Sequence, residues 1–448
     1  MRDKGVSQSR SALSRRGLWL IVIFFGLFTR PIFAGSVESI ASGDGHYLAL
    51  SDKGALESWG RNDFGQLGQG TVQSGWGGPT CPAMVLPPGK QWLKVAAGDN
   101  HSLAIASDGT LWAWGRNDLG QLGFTSLLGI LGLASGKREL QPVRISSDTD
   151  WIGVSGGMLS SFALKRDGSL WGFGGNWMGQ LGDGESRPLI EFSSPVEKLP
   201  HLTRPTRIGK EADWAAIAAG AEHVLARKLD GSLWAWGRND CGQLGVGTFI
   251  STNRPTRVGR DNDWVAFSAG GVGWRGARSA AIKRDGSLWV WGNWKAIQLA
   301  KGIANPADTN LFSRPVRLGL DSDWVRVVCG NDLCVALKSE GTLWVWGAGA
   351  TNLAGRMMPA SRAPVAQIGS DRDWVNVVAD GHGLGSETIL HALKTDGTVW
   401  SWSANVYPAS GGVPAIPTGV QVTPRQILPL GKPIPRPTVP THAENGSR

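Results

Sequence analysis

Tyrosine and methionine are scarce in this chain of 448 residues, at 2 and 6, and cysteine stops at 4. Cys81, Cys241, Cys329 and Cys334 follow no spacing familiar from zinc sites, so no metal centre is implied. Long apolar runs are missing except at residues 18–28, too short for an ordinary membrane span and cut off from any extension by Arg30. No long stretch carries the helical period. HExxH pairs, nucleophile elbows and a local glycosidase-like carboxylate pair are also missing. Gly271-x-Gly273-x-x-Gly276 matches a dinucleotide fingerprint by letter, yet strand-like Ala280-Ala281-Ile282 follows it, so no helix N-terminus awaits a phosphate. Positive charge is thinner than the net +9 suggests: residues 1–34 hold six basic groups against Asp3, leaving +4 for the rest. A scattered surplus of that size is weak ground for nucleic-acid binding.

What the chain has instead is glycine (64 residues) and tryptophan (23), in a repeat. Turn glycines fall at Gly54, Gly109, Gly168, Gly231, Gly286, Gly341 and Gly397, in steps of 55 to 63 residues. Each precedes an aromatic pair or its remnant: Trp59 alone, Trp112/Trp114, Trp171/Phe173, Trp234/Trp236, Trp289/Trp291, Trp344/Trp346 and Trp400/Trp402. Within the fourth unit, strands are expected over 215–219, 223–228, 233–236 and about 255–258, with Asp230-Gly231 turning the central hairpin. Alternation puts Trp234 and Trp236 on one face, toward a neighbouring sheet, where burying each ring contributes roughly 1.5–3 kcal/mol. Seven such units predict an all-β, seven-bladed propeller.

The ends of the chain read differently. Residues 1–34 have the basic, apolar and small-residue regions of a signal peptide, with an uncleaved anchor as the alternative. Ser14-Arg15-Arg16 also loosely matches a twin-arginine signal. Residues 35–431 form the propeller, and 432–448 read as a Pro-rich disordered tail. Ring closure is expected from pairing of the strand near Val37 with the one near Ile427, which would leave no open edge.

The run Gly-x-x-His, Asp-Gly-x-Leu-Trp-x-Trp-Gly and Asn-x-x-Gly-Gln-Leu-Gly resembles the repeat of the regulator of chromosome condensation family over residues 36–430. The match is fullest in units one, two and four; unit seven has Ser403 in place of the glycine. The resemblance implies a seven-bladed propeller. It does not fix a function, since the family includes nuclear exchange factors for the GTPase Ran, a secreted β-lactamase inhibitor and a plant ultraviolet-B photoreceptor. The photoreceptor's repeated Gly-Trp-Arg-His-Thr motif survives here only as Gly273-Trp274-Arg275, so photoreception is not expected.

His46, His101 and His223 recur at one position; metal binding is weighed against a local bond to each blade's own backbone, and the local role is preferred. Asp148/Asp150, Asp261/Asp263, Asp321/Asp323, Asp371/Asp373 and Glu211/Asp213 precede the entering Trp, as a cation ring or as turn-forming groups, with the turn role preferred. Cys329 and Cys334 flank a four-residue turn and are a candidate disulfide. Loop lengths are uneven: the first-strand-to-turn spacing of 11 residues grows to 16 in unit five and 17 in unit seven, and the loops after the third strand lengthen in units two and three. Such asymmetry on one rim marks a binding face, with Leu128, Ile130, Leu131, Trp274, Arg275, Arg278, His382 and Glu387 as candidate partner contacts. The function expected is an exported, monomeric, non-enzymatic propeller that binds a protein without a cofactor. Contact with nucleic acid is not expected, nor with membrane except through an uncleaved leader. The alternatives are an intracellular guanine-nucleotide exchange factor-like regulator of a small GTPase and a cation-dependent carbohydrate-binding or enzymatic module at the central channel.

Overall fold

A computed structural model describes residues 37–73, 82–125, 137–185, 199–271, 276–294, 311–331, 333–347, 365–380, 387–405 and 425–428. The chain divides into Met1–Ile32 and Phe33–Arg448, and every described residue belongs to the second unit.

Short apolar strands between glycine turns pair with their chain neighbours into seven four-stranded antiparallel sheets, the blades of a propeller. The first strands of the blades are Val37–Ser42, Trp92–Ala97, Trp151–Gly156, Trp214–Ala219, Trp264–Gly270, Trp324–Cys329 and Trp374–Ala379. Each touches the next round a common axis, and the first touches the seventh. Side chains alternate between the two faces of every blade, so the core lies in layers between blades rather than in one centre. Between blades three and four, for example, Phe162, Leu164, Leu170 and Ile208 pack on Trp214, Val224, Ala226 and Trp236. The fourth strands are edges, and His201–Arg207, Thr252–Arg257 and Leu311–Arg317 each carry Arg-Pro-x-Arg. Proline withholds an N–H from the open edge and arginine keeps it charged, which discourages pairing with other chains.

The ring closes otherwise than expected. Val37–Ser42 pairs with His46–Ser51 in blade one, and Arg425–Leu428 pairs with Val399–Asn405 in blade seven, so these terminal strands lie in different blades. The seam is sealed by side chains: Val37, Ile40, Tyr47, Ala49 and Trp59 of blade one pack on Val375, Val378, Leu393 and Val399 of blade seven. Ser42 Oγ and Tyr47 OH also donate to the Asp380 carboxylate, at 2.5 and 3.0 Å, across the same seam. Each blade is complete within its own stretch of chain, so closure needs no exchanged strand.

Candidate partner-binding rim

With strands running alternately up and down, the Asp-Gly hairpins gather on one rim. The first-to-second-strand turns and the Gly-Gln-Leu-Gly loops gather on the other. The loop rim is held together by the repeat motif. In Gly65-Gln66-Leu67-Gly68 the Gln66 side chain accepts from Phe64 N at 2.8 Å, and Asn62 Oδ1 accepts from Leu67 N at 3.2 Å, shaping the loop. That shape presents the Gln66 carbonyl to blade two, where Trp114 Nε1 and Ser102 Oγ both donate to it at 2.8 Å. Gln180 and Gln243 receive Trp236 and Trp291 in the same way. Gly68, Gly182 and Gly245 lie against these indoles, where a Cβ would come within 2.7–2.8 Å of Nε1.

The recurring histidines belong to the same latch, and here the structure corrects the expected bond to their own blade. His46 Nε2 meets Ser102 Oγ of blade two at 3.0 Å, His101 meets Ser161 of blade three at 2.8 Å, and His223 meets Ser279 of blade five at 3.0 Å. Because each serine hydrogen already goes to a glutamine carbonyl, Nε2 is the donor to the serine oxygen. Burial drives the His46 pKa down to about 3, so its ring stays neutral. The glycine of Gly-x-x-His makes room for the ring: a Cβ on Gly43, Gly98 or Gly220 would lie 2.1–2.7 Å from the imidazole Cε1.

The aspartate pairs form neither a cation ring nor simple turn caps. They hold a lysine of their own blade. Lys338 Nζ sits 2.8 Å from Asp321 and 3.1 Å from Asp323, while lying 4.9 and 5.0 Å from the Trp324 and Trp344 ring centres. Lys165, Lys283 and Lys394 repeat the arrangement with Asp148/Asp150, Asp261/Asp263 and Asp371/Asp373. Lys228 does so with Asp213. Burial works against the Lys338 ammonium, but the two carboxylates outweigh it and its pKa rises. The five cages make the hairpin rim uniform from blade three to blade seven. Among the described residues no group of three or more His, Cys, Asp or Glu is placed to hold a metal ion.

The loop rim is uneven. Its turn tips bond one another round the axis, Asp44 N to Asp99 O at 3.0 Å and Asn331 N to Asp380 O at 3.1 Å. They carry acids in some blades only. Asp44 is held by Arg61 at 2.8 Å, and Glu222 by Arg238 at 2.9 Å and by Trp177 Nε1 at 2.9 Å. Burial raises the Asp44 carboxyl, and burial with the neighbouring Asp44 charge raises Asp99 well above the usual range. Blade three has Gly157-Met158-Leu159 in that place, with Met158 and Leu159 buried. Blade six closes its turn with a disulfide between Cys329 and Cys334, which are cross-strand partners.

Of the expected contacts, Leu128, Ile130, Leu131, Trp274, Arg275 and His382 lie outside the described residues, and of Glu387 only the main chain, paired with Asn405, is described. Arg278 is not an exposed hot spot. It fills the position of the recurring histidines, is 6% exposed, donates to Gly276 O at 3.1 Å and lies 5.4 Å from the Trp294 ring centre. Sequence reasoning missed Phe249 and Ile250, 47% and 72% exposed in the loop-rim segment of blade four. Two adjacent large apolar residues between Thr248 and Ser251 were the available signal.

A family model described as the RCC1-like domain matches residues 27–366. The ultraviolet-B receptor UVR8 of Arabidopsis thaliana is 30% identical over 292 residues, 64% of this chain and 60% of that protein. An X-linked retinitis pigmentosa GTPase regulator homolog of Caenorhabditis elegans is 27% identical over 395 residues, 84% of this chain but 24% of its own. The chain thus matches less than two thirds of the length of these relatives. Among solved structures, human WBSCR16 is similar at a TM-score of 0.62 and 21% identity, covering 77% of this chain and 84% of that one. Yeast RCC1 (Prp20), in complex with Kap60, is similar at 0.62 and 22%, covering 84% and 81%. At such identities these two speak for the fold alone.

Proposed function

Because this chain belongs to the RCC1-like domain family, we infer that it is a non-enzymatic propeller that binds a protein partner through its loop rim. One observation carries the reading: the two rims differ in regularity. Cages of one design fix the hairpin rim in five blades, whereas turn length and charge on the loop rim change from blade to blade. Scaffold demands fall on all blades alike, so variation confined to one rim reflects what that rim touches. Phe249 and Ile250 add adjacent exposed apolar area there, while Leu229 and Leu320 stand singly on the opposite rim. Yeast Prp20, of like fold, is held by Kap60 and binds Gsp1p and histones, which are proteins too.

Export from the cytosol is part of the proposal. It is supported by the leader-like residues 1–34 and by a disulfide of the kind that oxidising compartments allow. Two measurements test the reading. N-terminal sequencing of the mature protein is expected to start near Gly35; a start at Met1 in cytosol overturns export. Affinity capture from cell extract should recover the partner with wild type and with Leu320→Ser. It should fail with Phe249→Ser/Ile250→Ser and with variants shortened at 124–139 and 270–279. Equal recovery by all would remove the rim assignment.

A further inference from the structure

One contact recurs where a loop of one blade meets the outer strand of the next. Gly70 N donates to Leu140 O at 2.9 Å, Gly184 N to Asn253 O at 2.8 Å and Gly247 N to Ser313 O at 2.7 Å. The residue after each accepting carbonyl, Gln141, Arg254 or Arg314, sets its polar head on that glycine. A Cβ there would lie 3.1 Å from Gln141 Nε2, 2.6 Å from Arg254 Nε and 2.9 Å from Arg314 Nη2. Arg204 holds the same place ahead of the strand proline in blade three, and all four residues are exposed. Gln141 shows that the contact needs a planar polar head and not a charge. The charge in blades three to five therefore answers to something outside the scaffold.

Nothing within the chain neutralises it. The second arginine of each Arg-Pro-x-Arg turns to its own blade, Arg257 to Arg260 O at 3.0 Å and Arg317 to Leu320 O at 3.1 Å. Arg254 makes one long bond, 3.5 Å to Gly184 O, and Arg314 makes none. Neither has an ion pair among the described residues, although exposed Glu185 adjoins Gly184. Residues 241–260 and 311–319 contain no acid. Exposed Phe249 and Ile250 belong to the loop on which Arg314 rests, and a Cβ on Gly242 would meet Phe249 Cε1 at 3.0 Å and Ser313 Cα at 2.9 Å. The loop is tied to the wall: buried Asn239 donates to Thr248 O at 2.8 Å and to Ile250 O at 3.1 Å, and its own N–H reaches Ser251 Oγ at 3.0 Å. Guanidinium forks fixed beside a tethered apolar pair suit carboxylates of a protein, taken bidentately, better than a fluid bilayer.

We propose that this patch docks an acidic protein segment, with an apolar side chain on Phe249 and Ile250 and carboxylates on Arg254 and Arg314. It rests on the loop rim being the binding face and names the chemistry that the rim takes.

The test is fluorescence anisotropy of the full chain with the labelled peptide Asp-Glu-Asp-Phe-Leu-Asp-Glu-Asp. The controls are Lys-Arg-Lys-Phe-Leu-Lys-Arg-Lys and Asp-Glu-Asp-Ser-Ser-Asp-Glu-Asp. Only the first peptide is expected to bind, weakening about tenfold as ionic strength rises from about 0.05 to 0.5 M. Arg254→Gln/Arg314→Gln copies the natural Gln141 contact, so it is expected to keep the urea midpoint while weakening the peptide at least about tenfold. Should it not fold, Arg314→Gln alone is read, with weakening of about threefold expected. No binding by wild type, equal affinity for either control, or a glutamine variant at wild-type affinity would overturn the proposal. So would sedimentation with vesicles of equal phosphatidylcholine and phosphatidylglycerol in preference to the peptide, which would assign the patch to a membrane. Partner capture from extract that survives Arg254→Gln/Arg314→Gln but not Phe249→Ser/Ile250→Ser removes the acidic segment and leaves the rim; equal capture by all variants removes the rim itself.

Discussion

His101 shows how much of the ring rests on single side chains. Its imidazole starts a second strand, reaches Ser161 of the following blade and fixes a hydroxyl that in turn holds the Gln121 carbonyl. Cutting it to alanine strands a buried hydroxyl and opens space, so His101→Ala is expected to cost roughly 2–3 kcal/mol by urea denaturation. Gly98→Ala should be at least as damaging, since the new Cβ would meet His101 Cε1 at 2.1 Å and Gly157 O at 2.5 Å, both in the packed core. The latch also makes a pH statement. The His46 ring protonates at about 3 when folded and near its ordinary 6.5 when unfolded. Below pH 6.5 the unfolded chain therefore binds the extra proton, and stability falls as pH drops toward 3. His46→Gln is expected to lessen that acid slope by up to about 1.4 kcal/mol per pH unit, read from urea midpoints at pH 7 and 5. Gly-x-x-His was visible in the sequence, but its recipient was not, because Ser102 lies a whole repeat away from His46.

At the scale of a strand pair, the lysine cage explains why the repeats need their aspartates. Lys283 is set between Trp264 and Trp289, at 4.9 and 4.8 Å from the ring centres, and against Asp261 and Asp263 at 2.8 and 3.3 Å. Lys283→Met keeps the aliphatic stem and removes the charge, leaving two half-exposed carboxylates facing each other. Its expected cost is about 1–2 kcal/mol, shrinking as salt is raised, because the acids are open to screening while the cation–π part is not. A salt-independent cost would assign the effect to packing alone. The cage could have been read ahead of the fold: Lys165-Arg-Asp-Gly, Lys228-Leu-Asp-Gly, Lys283-Arg-Asp-Gly, Lys338-Ser-Glu-Gly and Lys394-Thr-Asp-Gly recur in step with the Asp pairs. The hairpin was evident from Asp-Gly, but the lysine ahead of it passes for ordinary surface charge until its strand is paired with the entering Trp. Arg278 misled in the opposite way, as an arginine near a long loop that the register puts in a buried histidine position.

For the molecule as a whole, blade number was legible because a turn glycine and an indole pair recur on a fixed period, and each blade is a contiguous stretch. How the ring closes was not legible. The seam depends on Tyr47 and Asp380, more than three hundred residues apart, which only the finished circle brings together. That seam contains a buried acid, and its consequence can be measured. Burial pushes the Asp380 carboxyl up to about 8, with the Ser42 and Tyr47 hydroxyls opposing the rise. The unfolded chain releases this proton near 3.8 and the folded chain near 8, so between those values the folded state holds the additional proton. Stability contributed by the protonated seam is therefore present at low pH and lost as pH rises, by up to about 1.4 kcal/mol per unit. Asp380→Asn keeps the size and an acceptor for the two hydroxyls while removing the titration. Its urea midpoint is expected to lie near that of wild type at pH 3.5, above it at pH 5.5 and further above it at pH 8.5. Parallel curves for the two proteins would mean that the closing contact between blades one and seven does not sense this proton, and that the apolar layer of Val37, Ile40, Val375 and Val378 alone carries the seam.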